Sequence, residues 1–577
     1  MRSVEIEKVT VIALGAVPIV ALGAADGGFY PRPWSWATVG LALTLMVAAC
    51  ARRTTDVSRN VLLLMGILAA IGIWTAASLS WTRSVGATAF ELERLLVYAA
   101  AAIAAAVLVR PGTLRALVTG VFLGTSSLTI WGLVGYLLAR DGTPDPLQGW
   151  YLHRPIGYAN GMAITAALAI LLGIGFAREA RPRLARTLAA GALVPLATAL
   201  ALTGSRAAWA ALFVGLIAFV AVTPDRARLA SSFSLLVIPA AAAAVVVASD
   251  VTDTGLLGSD AERLGERLLA AVVLLAAAAM SFERLALPHL GRVPRRAATV
   301  ALILGASLLA ISAVTTAHLL AGDRTAYWRA AAAALREHPV LGSGAGSFGQ
   351  IWLERRTEPI SVRDAHSLPI ETAAELGIVG LALVCVLFAA PLAWSVRARR
   401  SAHVPTVTGA FVAFAAHTAV DWDWELPAVA IAGLLCAVAL GVSADSSRID
   451  LSPMQRGAVV GLGAGAVAVG LVGLVGASAL EDANRALARG DHATAERAAE
   501  RAEHWQPWTL EPALIRGRSL LARGDRGNAR DAFIRAAARE PNDYRVWLAL
   551  ATVSDGDTVA AALERARGLN RFAVARP

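Results

Sequence analysis

The sequence predicts an all-α, polytopic membrane helix bundle of about fifteen spans that ends in a helical repeat domain. Three observations predict it. Hydrophobic residues make up 57% of 577 and charged residues 16%, with a mean hydropathy of +0.60, which excludes an ordinary soluble protein. Apolar runs of bilayer-crossing length recur from Val9 to Leu480. Beyond Glu481 the chain turns Ala/Arg/Glu-rich and amphipathic.

The spans fall in order at about 9–25, 34–51, 61–80, 95–109, 113–139, 159–177, 187–203, 206–222, 229–248, 268–283, 297–319, 376–396, 404–420, 426–443 and 457–479. The net charge of +10 is almost all arginine, Lys8 being the single lysine. The arginines cluster between spans, at Arg52/Arg53/Arg59, Arg110/Arg115, Arg178/Arg181/Arg183/Arg186, Arg226/Arg228, Arg284/Arg292/Arg295/Arg296, Arg397/Arg399/Arg400 and Arg448/Arg456. Every even-numbered connection is therefore basic, as positive-inside bias requires if the N-terminus is cytoplasmic. This spacing marks topology and argues against a nucleic-acid partner. Connections after odd-numbered spans then face outward, among them a large extracytoplasmic loop over 320–375.

The start of the chain reads as a first membrane helix and not a signal peptide, because Glu5 and Glu7 spoil the basic leader and a second apolar segment follows at once. Cys50, Cys385 and Cys436 lie in or beside apolar segments and form no CxxC pattern or disulfide framework. The chain divides into a membrane domain, 1–480, and an extracytoplasmic repeat domain, 481–577. Leu487-Ala-Arg-Gly-Asp491 recurs as Leu521-Ala-Arg-Gly-Asp525 and Pro507 recurs as Pro541, each 34 residues on, the period of tetratricopeptide helix pairs. Gly556-Asp557 opens a degenerate third unit. Two roles fit this region: a helical cap packed on the membrane domain, or a groove for a protein partner.

The outward loops hold the chemistry. Gly344-x-Gly346-x-x-Gly349 fits a dinucleotide fingerprint by letters alone, but no βαβ unit surrounds it. It reads as a tight turn, or as one that brings backbone N–H groups near an anion or another helix. Arg206 follows Thr203-Gly204-Ser205 at a span mouth, Arg324 opens RTAYWRAAAAALREH, and Arg154 opens RPIGYANG. One such arginine would snorkel; three on one face suit a diphosphate, whose oxygens match planar guanidinium donors. His366 precedes an apolar segment with Ser367 placed to cap it and Pro369 in its first turn. The helix dipole and nearby arginines favour a neutral imidazole able to take a proton from a hydroxyl, while Asp364 pushes the other way or orients the ring. His417 and Asp421, four apart, are expected on one helix face. Asp421-Trp-Asp-Trp-Glu425 reads as interface anchoring or as a surface for carbohydrate stacking. No HExxH or clustered His/Asp set supplies metal ligands, so metal-free chemistry without a cofactor is expected.

His366-Ser367, nine residues, Gly377, two residues, Gly380 resembles the signature of the O-antigen ligase family. Arg324…Trp328…Pro339-x-x-Gly342-x-Gly344 resembles the segment that precedes it in the O-antigen ligase/polymerase superfamily. Thr203–Arg206, Arg154…Gly157…Asn160 and His417-x3-Asp421 resemble further landmarks, in the family's order, over roughly residues 60 to 443. The sequence departs at Ala207, where the family has Gly, and at Ala159, where it often has Pro. The resemblance implies a GT-C-like, metal-independent glycosyltransferase on the outer face of the bacterial cytoplasmic membrane. Its donor would be a glycan on undecaprenyl diphosphate, transferred with inversion to an acceptor hydroxyl on a glycolipid, glycan or protein. It assigns the base to His366 and the diphosphate to Arg206 and Arg324. Arg154, Asn160, Trp328, Gly342, Gly344 and Asp421 are the expected substrate-binding set.

Ligase, polymerase and protein O-oligosaccharyltransferase share this scaffold. A transporter would show paired repeats and mid-span polar breaks; here the polar residues sit at outer mouths. A structural scaffold would leave the loop motifs unexplained.

Overall fold

The computed structural model describes residues 2–51, 56–138, 144–225, 229–247, 258–286, 324–445 and 447–573. Ten of its helices are long and apolar enough to cross a membrane, and three shorter apolar ones, Arg206–Val222, Ser231–Val247 and Val404–Thr418, accompany them. This is a multi-pass membrane protein. Each expected span among the described residues falls on helix, and 297–319 lies outside them. The span expected at 229–248 is divided by a turn between Leu229–Ser234 and Val237–Val247. That expected at 95–109 is the apolar end of a longer helix, Val85–Leu108, whose first half carries Glu91, Glu93 and Arg94.

The innermost helix, Pro427–Ala444, buries every residue from Pro427 to Val442. With no hydrophobic drive between helices in lipid, close packing needs small side chains. Helices Arg206–Val222 and Val404–Thr418 accordingly meet at Gly215 and Gly409, where an added Cβ would come within 3 Å of the other's carbonyl oxygen. Gly215 also faces Ala413, and Gly409 faces Phe219, so the two helices run antiparallel.

The two ends of the bundle sort the connections. At one end Asp56 pairs with both Arg110 and Arg448, and Arg456 donates to the carbonyl of Ala49. Arg115, Arg181 and His403 line one cavity of about 200 Å³ at the same kind of connection. Here the all-α expectation needs a small correction, because Asp56–Ser58 and Arg448–Asp450 form a two-stranded antiparallel ribbon. Its edges leave backbone groups that the Arg448 guanidinium partly satisfies, donating to the carbonyls of Asp56 and Val109. The opposite end gathers residues 78–86, 145–158, 324–367 and 421–426, which carry the candidate site.

Helix Pro453–Ala488 runs without a break through the boundary expected at residue 480, and five shorter helices follow it up to Leu569. The repeated Leu-Ala-Arg-Gly-Asp has a local cause. Gly490 and Gly524 take positive φ at the ends of their helices, and Asp491 and Asp525 then cap the next ones by accepting from the N–H of Thr494 and Asn528. These helices rest on the membrane part. Glu540 accepts from the N–H of Gly86 (2.8 Å), Asn542 donates to the carbonyl of Arg83 (3.0 Å), and Arg356 donates to Asn570 (2.6 Å).

Candidate active site

The long helix Leu368–Ala398 is interrupted at Gly377, whose φ of 66° and ψ of −166° no side-chain-bearing residue readily adopts. The break frees backbone groups inside the protein, and each needs a partner. The loop 338–346 supplies most of them. Ser343 and Gly344 N–H donate to the carbonyls of Ala374 and Glu375, and Ile378 N–H donates to Pro339. Trp74 Nε1 covers the carbonyl of Leu376. Gly342 and Gly344 were expected beside substrate, but their N–H groups are already committed, to His338 and Glu375. Any Cβ on Gly342 would fall 2.3 Å from the backbone of Glu375, so these glycines let the loop thread the break. The turn brings its N–H groups against another helix, those of Ser343 and Gly344 onto carbonyls and that of Gly346 onto the Glu375 carboxyl group.

His366 sits immediately before that helix in the left-handed region, φ 53°. A non-glycine residue holds this conformation only when its neighbours dictate it. They do so here: Ala365 N–H donates to Glu371 (2.6 Å), Trp328 Nε1 donates to the carbonyl of Ala365 (3.0 Å), and His366 N–H donates to Asp364 (3.1 Å). Trp328 thus spends its polar atom on positioning, where substrate contact was expected. The imidazole Nδ1 lies 2.7 Å from Asp364 Oδ1, an ion-pair distance although off the hydrogen-bond direction. The Tyr327 ring centroid lies 5.5 Å away. Burial alone would lower the His366 pKa, but Asp364, aided by Asp421, outweighs it and Arg324, so the net shift is upward. The neutral-leaning histidine expected from the helix dipole is therefore corrected. Ser367 occupies the N-cap position without making the side-chain cap bond, while Pro369 takes the first turn as expected.

Helix Val404–Thr418 ends too early for His417 and Asp421 to share its face. In Asp421-Trp-Asp-Trp-Glu425 each carboxylate meets its own cation. Asp421 pairs with Arg324 (3.1 Å), Asp423 with His417 (2.8 Å) and Glu425 with Arg94 (2.9 Å). The Arg94 guanidinium also lies over the Trp424 ring at 4.6 Å and pairs with Glu91. Asp421 is completely buried and further accepts from Tyr158 (2.7 Å) and Asn160 (2.6 Å). Asp421, among the residues expected at the substrate, is a hub that Arg324, Tyr158 and Asn160 share. Arg324 also donates to the carbonyl of Val420 at 2.5 Å, leaving three of its five N–H donors uncommitted by these two bonds.

Arg206, the first residue of its helix, is exposed. The antiparallel pairing of that helix with Val404–Thr418 carries Arg206 to the end where His417 and Asp421 sit. Arg154 is also exposed, on a loop tied to the neighbouring Thr203–Ser205 turn by the Leu152 N–H to Leu202 carbonyl bond. Trp328 and Asp364 hold the His366 segment, Asp421 joins Arg324 and Asn160, and the charges of Asp421 and Arg324 act on His366, with the two exposed arginines at the same end of the bundle.

Sequence reasoning missed Arg94, Glu91, Glu371, Glu375 and Tyr158. The available signal was ionisable residues inside apolar runs, Glu-x-x-Arg at 91–94 and Glu-x3-Glu at 371–375, which membrane helices rarely carry without cause. Glu371, Glu375 and Glu91 border two cavities. One, of about 130 Å³, is apolar and lined by residues such as Leu68, Ile71, Phe388 and Leu434. The other, of about 420 Å³, is polar and reaches to the C-terminal helices. Among the described residues no group of three or more His, Cys, Asp or Glu is disposed to hold a metal ion.

Residues 191–385 match the family model described as O-antigen ligase, a stretch that contains Arg206, Arg324 and His366 and leaves Arg154, Asn160 and Asp421 outside. Over that stretch the chain is similar to the O-antigen ligase family, within a multi-pass membrane protein. No curated protein matches it.

Proposed function

We propose that this protein is a metal-independent glycosyltransferase with a GT-C-like arrangement, moving a glycan from undecaprenyl diphosphate to an acceptor hydroxyl at the outer face of the cytoplasmic membrane. The observation that carries the reading is His366, held in a left-handed backbone beside Asp364 and within the field of Arg324, inside the stretch that matches the family.

In this scheme His366 takes the proton of the acceptor hydroxyl as its oxygen attacks the anomeric carbon. The bond from that carbon to the diphosphate oxygen breaks on the opposite face, and the polyprenyl diphosphate leaves with the electron pair, inverting the centre. Arg324 and Arg206 stabilise the charge that grows on the leaving group, with planar donors suited to paired phosphate oxygens. A positioned base contributes about 10²–10⁴ in rate. One preorganised donor to developing charge contributes about 3–4 kcal/mol.

His366→Ala should reach the membrane at normal abundance and lose at least about a hundredfold in transfer rate. Arg324→Lys should also impair transfer, since an ammonium does not replace the planar guanidinium that reaches both the Val420 carbonyl and Asp421 and is proposed to hold the diphosphate. Transfer by His366→Ala at the wild-type rate would remove the mechanism. Deletion of the protein separates the products. Accumulated full-length lipid-linked polymer identifies a ligase, single repeat units a polymerase, and unglycosylated secreted proteins a protein glycosyltransferase.

A further inference from the structure

The polar cavity of about 420 Å³ is built jointly by the membrane part and the C-terminal helices, and no part of the mechanism above uses it. Its floor is Glu371 and Glu375, one wall is the segment from Gly346 to Arg363, and its roof is Glu511, Glu540 and Tyr544. It adjoins His366, because Glu371 holds the backbone of Ala365 and Arg363 stands three residues before the histidine. Tyr30, Trp34 and Phe90 add aromatic surface.

Seven carboxylates face three guanidiniums around this space. Several are partly satisfied within the protein: Glu375 accepts from the N–H groups of Gly346 and Phe348, and Glu511 pairs with Arg545. Each carboxylate still has lone pairs to offer, since two oxygens take up to about four donors. Two lining residues also hold a buried polar atom without a partner. Arg94, only 3% exposed, has its Nε unpaired, and so is Oε1 of Gln350. A wall rich in acceptors and aromatic faces fits a ligand rich in O–H or N–H donors with flat apolar faces. That is a sugar ring. A peptide brings as many carbonyls as N–H groups and would find few donors here.

Resting on the transfer reaction proposed above, we infer that this chamber, completed by the C-terminal helices, is the acceptor site and takes a neutral or amino-bearing saccharide in preference to an anionic one. The volume suits one or two sugar rings. The C-terminal helices thereby belong to the substrate site itself.

Binding to the detergent-solubilised full-length His366→Ala protein tests this without depending on transfer. The probes are chitobiose with free amines, its N-acetylated form, a glucuronic acid disaccharide of the same size, and a serine-rich decapeptide. The first two should bind, and the other two should bind at least tenfold more weakly. Tyr544→Ala and Gln350→Ala, on opposite walls and each checked for an unchanged melting temperature, should each weaken sugar binding at least fivefold. Equal binding of the uronic disaccharide, preferential binding of the peptide, or unchanged affinity in both wall variants would overturn the assignment. Sugar binding without any transfer by the wild-type protein would instead overturn the proposed reaction and leave the site standing.

Discussion

Under the proposed mechanism, the sign of one electrostatic balance at His366 would set the working pH. Burial and Arg324 oppose the charged imidazole, Asp364 and Asp421 favour it, and the net displacement is above the ordinary value of 6.5. A base must be neutral to accept a proton, so transfer should rise with pH through a midpoint above 6.5. Asp364→Asn removes the dominant upward influence and leaves burial and Arg324 in place. The midpoint of the pH–rate profile should then move down, and a profile that stays fixed would place the titration on another group. The same balance contributes stability while the unfolded histidine is also protonated, and loses it as pH rises through the folded value. The residue itself was legible from the His-Ser…Gly…Gly spacing, but its charge preference was not. The helix dipole could be read locally, whereas the backbone turn that brings Asp364 against the ring could not.

Among the elements, the broken helix Leu368–Ala398 shows why a motif has its spacing. His366 and Gly377 stand at the two ends of one short helical segment, and the Pro339–Gly344 turn closes the gap that Gly377 opens. A Cβ at Gly377 would lie 2.0 Å from the carbonyl oxygen of Val340, in a backbone region reserved for glycine. Gly377→Ala should therefore cost more than about 2 kcal/mol, seen as a lower melting temperature in detergent together with lost transfer. An unchanged melting temperature would mean that the break is not rigidly held. Helix existence was readable from apolar length and arginine bias, and the repeat period of 34 from two copies of one pentapeptide. The pairings of Asp421, Asp423 and Glu425 were not, because their cations lie 97, 6 and 331 residues away along the chain. No local spacing rule reports the two distant contacts, and the near one depends on where helix Val404–Thr418 ends. The helix caps were half legible. Asp525→Ala should remove the N-cap bond to Asn528 and destabilise the C-terminal helices, which thermal unfolding should report as a lower melting temperature.

For the whole molecule, the arginine alternation and the sorting of connections to two ends agree with each other. The orientation proposed from that bias puts the candidate site and the C-terminal helices outside. A reporter enzyme active only outside the cytoplasm, fused after Pro577, should be active, while the same reporter inserted after Arg400 should be silent. The reverse pattern would invert the protein and with it the proposed side of transfer. Helix Pro453–Ala488 gives this arrangement a mechanical meaning. Its 36 residues extend about 54 Å at 1.5 Å per residue, against about 30 Å of hydrocarbon. In the proposed orientation the excess would stand above the outer lipid surface as a stiff mast, since the helix runs unbroken. A cover carried on such a mast would keep one altitude over the bilayer, so under the proposed reaction a lipid-anchored acceptor would have to present its sugar at that height.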